Sequence, residues 1–243
     1  AREKSDPIDS RQIAEYGFRY ADRLHRWRPP NEIIEQIQVM LSAREQFSKI
    51  QTACKNSLKS LKKKQRQFEH IEIFYEDMGK EAKQKNIAIE QEIKRLIAQN
   101  PRLQQTVTDL LTFKSLGFLL VAYLLVATDG FRLVEYRKLS SYIGICPFKY
   151  TSGTSVRDRE HADSAGPASL RKQLYLASMR MMRTHPDLKL YYARKIAEKN
   201  SGKLALNNLA NKILRICCGM IQSGKPYMKN YRSSNFIESS IKK

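Results

Sequence analysis

A mainly α fold is what this sequence predicts, and three observations carry that expectation. Apolar side chains recur at steps of four and three from Ile33 to Tyr75. A ten-residue apolar run, Phe118 to Ala127, sits between glycine-containing segments, and three further helical patterns beyond residue 166 are punctuated by proline and glycine. With 42% hydrophobic residues among 243, the chain can hold one or two globular cores and is not wholly disordered. A spanning helix needs about 20 apolar residues, so the ten-residue run is a core segment and no membrane anchor. The net charge of +20, from 44 Lys and Arg against 24 Asp and Glu, points to a polyanionic partner. Nucleic acid is the first candidate and an anionic membrane surface the second.

The first element is a short apolar-periodic pattern through Ile13, Ala14, Tyr16 and Phe18, entered by Ser5-Asp6-Pro7-Ile8-Asp9. Ser5 or Asp6 before Pro7 is a helix start signal. Asp6 and Asp9, three apart, share a helical face and make half of a divalent-metal site, because magnesium takes several oxygen ligands. Pro29-Pro30 ends this pattern, and Asn31 caps the next.

The second element is a helix of roughly 60 Å whose stripe reads Ile33, Ile37, Met40, Arg44, Phe47, Gln51, Cys54, Leu58, Leu61, Gln65, Phe68, Glu72 and Tyr75, at coiled-coil spacing. Gly79 is expected to break it. A following helix with Ile87, Ile89, Ile93, Leu96 and Ile97 then folds back, so that an antiparallel hairpin, a self-dimer or both bury the stripe. Lys55, Lys59, Lys62, Lys63, Lys64 and Arg66 make one flank basic, either a solvated face or a track for nucleic-acid backbone.

Asn100-Pro101 opens a region of different composition. Leu110 to Gly117, the apolar run and the turn Thr128-Asp129-Gly130-Phe131 follow the order of a helix-hairpin-helix module, whose backbone amides hold a phosphate. Lys114 and Gly117 would lie at that hairpin, with Ser115 where such modules usually place their first glycine. A plain buried helical hairpin fits the same pattern.

Lys149-Tyr150-Thr151-Ser152-Gly153-Thr154-Ser155-Val156-Arg157-Asp158-Arg159 reads as a turn-like loop rich in hydroxyls. A serine nucleophile must be aimed, deprotonated and given nearby positive charge. Gly153 permits close backbone approach, and Lys149, Arg157 and Arg159 supply donors suited to phosphate oxygens. Composition does not choose among Thr151, Ser152, Thr154 and Ser155, and a solvated Ser/Thr/Gly loop has the same make-up. Three helices follow, opened by Pro167-Ala168-Ser169, by Pro186 and by Ser201-Gly202, with Gly224 and Pro226 ending the last. They carry Arg171, Lys172, Arg180, Arg183, Lys212 and Arg215. Cys54, Cys146, Cys217 and Cys218 have no C-x-x-C spacing, which argues against zinc and a disulfide framework and suits a reducing cytosol. No signal peptide is read, and a chain beginning at Ala1 is expected to be a fragment.

Three stretches together resemble a known family: K-S-D-P-I-D-S-R-Q-I-A; Y-I-G-I-C-P through Y-T-S-G-T-S to S-A-G-P-A-S-L-R-K-Q-L-Y; and K-L-A-L-N-N-L-A-N-K-I-L-R-I-C-C-G-M-I-Q-S-G-K-P-Y. In order and spacing they resemble the DEDD-type insertion-sequence transposases of family one-ten and the Piv-like DNA invertases. The resemblance implies a recombinase with a RuvC-like domain that binds divalent metal such as Mg2+ on four carboxylates. It further implies a dimerising coiled coil and a helical domain whose serine becomes covalently joined to DNA. It assigns Asp6 and Asp9 to the last two carboxylates and Ser152 to the nucleophile; nucleic-acid contact is expected, from residue chemistry and placement, at Lys114, Gly117, Lys149, Gly153, Arg157, Arg159, Arg171 and Lys172. Metal held by the carboxylates would sit near the serine and ease alkoxide formation. The implied partners are double-stranded DNA, a structured non-coding RNA and further copies of the chain, as dimer or tetramer. The implied setting is a bacterial or archaeal cytoplasm, at the nucleoid.

The expected domains are 1–30 (the end of the RuvC-like domain, most of which precedes residue 1), 31–100 (coiled coil), 101–230 (helical, with the serine loop) and 231–243 (a mobile tail). The Ser164-Ala165-Gly166-Pro167 stretch departs from a more basic Lys-Arg-Gly-Asn-like one. The alternative expectation is a truncated, inactive nucleic-acid-binding and oligomerisation module.

Overall fold

The computed structural model describes residues 6–24, 29, 31–64, 68–148, 151–152, 156–157, 161–162, 166–198 and 201–229, and divides into two compact units, residues 1–30 and 31–243. The tail 231–243 lies outside the described residues. The fold is mainly α.

The first unit is helix α1, Asp6–Arg19, with Asp6 and Asp9 in its first turn, where carboxylates oppose the positive end of the helix dipole. None of its side chains is buried, and Ile13, Tyr16 and Phe18 are exposed.

The second unit begins with two equal helices, α2 (Glu32–Leu61) and α3 (Glu69–Ala98), of 30 residues each. Asn31 caps α2 by accepting from the Ile33 amide at 2.9 Å. The two run antiparallel: Arg44 pairs with Glu90, Asn86 donates to Ser48, and Gly79 faces Cys54. This corrects the expected continuous helix from Ile33 to Tyr75. The chain turns between Leu61 and Glu69, beside Lys62 to Lys64, while Gly79 lies inside α3. From Ile33 to Leu61 the predicted stripe still faces inward, covered by the other arm of the same chain, while Phe68 is exposed. Ile34, Ile37 and Leu41 meet Ile93, Leu96 and Ile97 at the base, and small residues, Cys54 and Ala82, sit nearer the turn. Between them lie two polar layers, Ser48 with Asn86 and Arg44 with Glu90, which match only in this register.

The rest packs around α5 (Phe118–Ala127), which is apolar on every side and is enclosed by α2, α4 (Pro101–Leu111) and α7 (Ala168–Thr184). Helices α6 (Tyr136–Ile143), α8 (Pro186–Ala197) and α9 (Gly202–Ser223) complete the bundle. The boundaries read from Pro101, Pro186, Ser201 and Gly224 are observed: Asn100 and Ser201 are N-caps, Pro186 opens α8, and Gly224 ends α9 in the left-handed conformation. Cys217 and Cys218 are buried free thiols on α9, and burial pushes the Cys218 thiol up to about 11. Among the described residues, no helix is long and apolar enough to cross a membrane.

Candidate functional site

The segment between α6 and α7 contains the expected hydroxyl-rich loop, of which Thr151, Ser152, Val156 and Arg157 are described. Its described residues form two short antiparallel pairs, here called the ribbon: β1 (Pro147–Phe148) pairs with β4 (His161–Ala162), and separately β2 (Thr151–Ser152) pairs with β3 (Val156–Arg157). Thr151 stands opposite Arg157 and Ser152 opposite Val156, so Ser152 is the last paired residue on its strand before residues 153–155. The backbone of Ser152 is therefore held by pairing with β3. Lys149, Gly153 and Arg159, like Thr154 and Ser155, lie outside the described residues.

Both ends of the ribbon are anchored. At the entry, the Ile145 carbonyl accepts from Asn207 Nδ2 and from Asn211 Nδ2, each at 2.9 Å. The two amides lie one turn apart on α9, and their own oxygens are occupied: Tyr175 OH donates to Asn207 at 2.9 Å and Tyr136 OH to Asn211 at 3.1 Å. Every atom of this clamp thus has a partner, as a buried polar group requires. Burial pushes the Tyr175 phenol up, which keeps it the neutral donor the clamp needs. Arg171 Nη1 donates to the Ile143 carbonyl at 2.8 Å. At the exit, a Cβ on Gly166 would collide with the Tyr142 carbonyl oxygen and the Ile143 backbone, so only glycine fits the crossing. Ser169, in the first turn of α7, donates to Glu45 of α2, and the nearby Tyr123 phenol is raised first by burial and then by the Glu45 charge.

The predicted phosphate hairpin lies between α4 and α5. Gly117 has φ 87° and Ser115 φ 71°, so both are left-handed. Ser115 adopts the conformation expected of the glycine it replaces, at a local cost of about 1 kcal/mol. Arg180 Nη2 donates to the Leu116 carbonyl at 3.1 Å and occupies the space a side chain at 117 would need. His185 Nε2 donates to the Lys114 carbonyl at 2.6 Å, and Tyr227 stacks on Phe113 at 4.2 Å. The Lys114 side chain is exposed, and so is Lys172 on α7. Helix α7 joins the two places: Ser169 is at the ribbon exit and Arg180 at the hairpin, roughly 17 Å along the helix.

In the first unit, Asp6 and Asp9 share the first turn of α1, Asp6 exposed and Asp9 half-buried. Among the described residues, no three His, Cys, Asp or Glu side chains come together as a metal-binding group. Two carboxylates fit a hard cation in kind but not in number. Sequence reading missed Asn207, Asn211, Tyr136, Tyr175 and Glu45. The signal for the first two was N-N-L-A-N, amides spaced one turn apart in a helix otherwise full of Leu, Ile and Ala.

Residues 107–193 match the protein family described as Transposase IS116/IS110/IS902 family, a span holding the hairpin, the ribbon and α7. The chain is 30% identical over 141 residues to the insertion element IS110 uncharacterized 43.6 kDa protein of Streptomyces coelicolor, covering 58% of this chain and 34% of that protein. It is 22% identical over 230 residues to the pilin gene-inverting protein of Moraxella bovis, and 21% identical over 230 residues to that of Moraxella lacunata. Each of these covers 94% of this chain and 69% of the relative.

Proposed function

We propose that this chain is the serine-bearing, oligomerising part of a DNA transposase or site-specific recombinase. The similarity of residues 107–193 to insertion-sequence transposases, and of most of the chain to pilin gene-inverting proteins, supports DNA transposition or recombination as the class of activity. The observation that carries the finer reading is the position of Ser152, backbone-paired in β2 within a segment whose entry at Ile145 is clamped from α9. A serine whose backbone is paired in this way would lose less orientational entropy in reaching an in-line attack geometry than one on a free loop. In the step proposed, Ser152 Oγ forms a bond to a DNA phosphorus and the bond from that phosphorus to a sugar oxygen breaks. The serine proton leaves to a base or solvent, and the departing sugar oxygen takes one up. Lys149, Arg157 and Arg159 would offset charge on the phosphorane-like transition state.

The hairpin before α5 would take a second phosphate on the amides of Phe118 to Leu120, with Lys114 and Arg180 close by. Asp6 and Asp9 would supply two oxygen ligands to a divalent cation such as Mg2+, whose further ligands must come from elsewhere; bound there, it would supply Lewis-acid chemistry. Self-association is proposed through the outer face of α3, where Ile71, Phe74 and Met78 are exposed at helical spacing. A structured non-coding RNA is proposed as a further partner, on the strength of the family resemblance and the net charge of +20.

The test is mass spectrometry of the recombinase trapped on nicked DNA. A peptide carrying nucleotide on Ser152 is expected, and Ser152→Ala should abolish the adduct while duplex binding changes less than about twofold, since one neutral hydroxyl contributes little to backbone affinity. An adduct that persists in Ser152→Ala, or that maps to Thr151, Thr154 or Ser155, would move the nucleophile. A second reading is a binding and oligomerisation module without chemistry, which the net charge of +20 would serve equally well. It predicts duplex binding and no adduct under any metal condition.

A further inference from the structure

We infer that Lys212 and Arg215 on α9, with the tyrosine rings beside them, form a ridge that binds DNA backbone and leads a strand to the foot of the serine ribbon. The inference rests on the recombinase reading and gives it a second contact surface, separate from the hairpin and the ribbon. Arg215 is exposed with its guanidinium carbon 4.8 Å from the centre of the Tyr136 ring, and Lys212 Nζ lies 4.6 Å from that of Tyr191. Arg194 and Lys195 approach the same Tyr191 ring at 5.3 and 5.9 Å. An aromatic face steadies a cation without neutralising it, so the charge stays available for an anion.

The nearby carboxylates are already engaged. Glu198 lies 2.7 Å from Lys195 and 3.8 Å from Arg194, and Glu135 lies 2.7 Å from Lys138. Among the described residues, neither Lys212 nor Arg215 has a carboxylate within ion-pair distance. Three residues apart on one helix, the two side chains leave α9 as neighbours, at a spacing comparable to that of successive phosphates on a strand.

Position is what ties this ridge to DNA at the ribbon. The Tyr136 ring next to Arg215 donates its hydroxyl to Asn211, whose amide holds the Ile145 carbonyl two residues before the ribbon begins. A backbone laid along Lys212 and Arg215 therefore meets the entry to β1, the first strand of the segment that carries Ser152. Flat, sequence-independent attraction is the expected behaviour, because cations without base-reading partners position a duplex and do not read it.

The experiment measures affinity of the 243-residue chain for a labelled duplex as a function of salt, for the native protein and for the double variant Lys212→Gln/Arg215→Gln. Glutamine keeps a polar stem of similar length over each ring, and far-UV circular dichroism checks the fold. Removing one cation that neutralises a phosphate lowers the slope of log affinity against log salt by about 0.9, so the double variant should bring it down by about 1.8. The charge-keeping exchange Lys212→Arg/Arg215→Lys should retain the native slope. An unchanged slope in the glutamine variant overturns the ridge, and so does a fall seen with a structured RNA but absent with duplex DNA. If the serine reading alone is wrong, the slope still falls while an adduct survives Ser152→Ala; if the ridge alone is wrong, the slope holds and the adduct disappears in Ser152→Ala.

Discussion

Replacing Asn207 with alanine would strand two partners at once: the Ile145 carbonyl loses one of its two donors, and the buried Tyr175 hydroxyl loses its acceptor. The expected cost is about 1–3 kcal/mol, read as a lower midpoint in urea unfolding. Asn211 is half-exposed, so water can replace part of what its alanine variant loses, and that variant should be hurt less. A cost for Asn207→Ala no larger than for an exposed asparagine such as Asn56→Ala would contradict the clamp. The pH behaviour has a definite sign. Burial raises the Tyr175 phenol in the folded state, so the clamp's contribution is fully present below the ordinary phenol value of about 10 and is lost as pH rises through the raised folded value. Thermal stability should show no loss from this group near neutral pH and should decline only in strong alkali, and Tyr175→Phe should remove that part of the decline. These residues escaped sequence reading for a physical reason. A count of apolar periodicity scores leucines and isoleucines, whereas a buried asparagine is explained by its partner, and that partner carbonyl lies 62 residues away.

The helical hairpin shows the same limit one scale up. Its inward stripe is legible from Ile37 to Leu61, because a narrow apolar band on a long helix must be covered. Where the chain turns was misread, since Gly79 reads as punctuation and Lys62 to Lys64 as a solvated flank. What places the turn is the pairing: two arms of 30 residues cover one another along their whole length only if the chain reverses midway. Inside α3, Gly79 serves no turn. A methyl there would sit 3.6 Å from Cys54 Cβ, an ordinary van der Waals distance, so Gly79→Ala should stabilise the protein by about 0.5–1 kcal/mol through helix propensity. Differential scanning calorimetry would show this as a raised Tm, and a lowered one would mean that the arms pack closer than described. By contrast, Gly166→Ala should be costly, because its methyl would meet backbone and not a side-chain tip.

At the scale of the whole molecule, the excess of cations and the exposed apolar face of α3 act together. Net charge of +20 keeps copies apart unless an apolar contact or a polyanion brings them together. If copies meet through Ile71, Phe74 and Met78, then Phe74→Asp should shift the sedimentation coefficient to that of a monomer while leaving helix content unchanged. A native protein that is already monomeric at high concentration would remove this face as a self-contact. The sequence by itself determined the helical class, most helix ends beyond residue 100, the inward stripe of the hairpin and the polyanion-seeking charge, because periodicity, caps and net charge are local or additive properties. Only the tertiary structure decided that Ser152 is backbone-paired with Val156, that two asparagines hold the entry to its segment, and that the arms of one chain cover each other. Those outcomes depend on which distant backbone groups and side chains meet, and satisfying a buried carbonyl or stripe is settled by its neighbours in space.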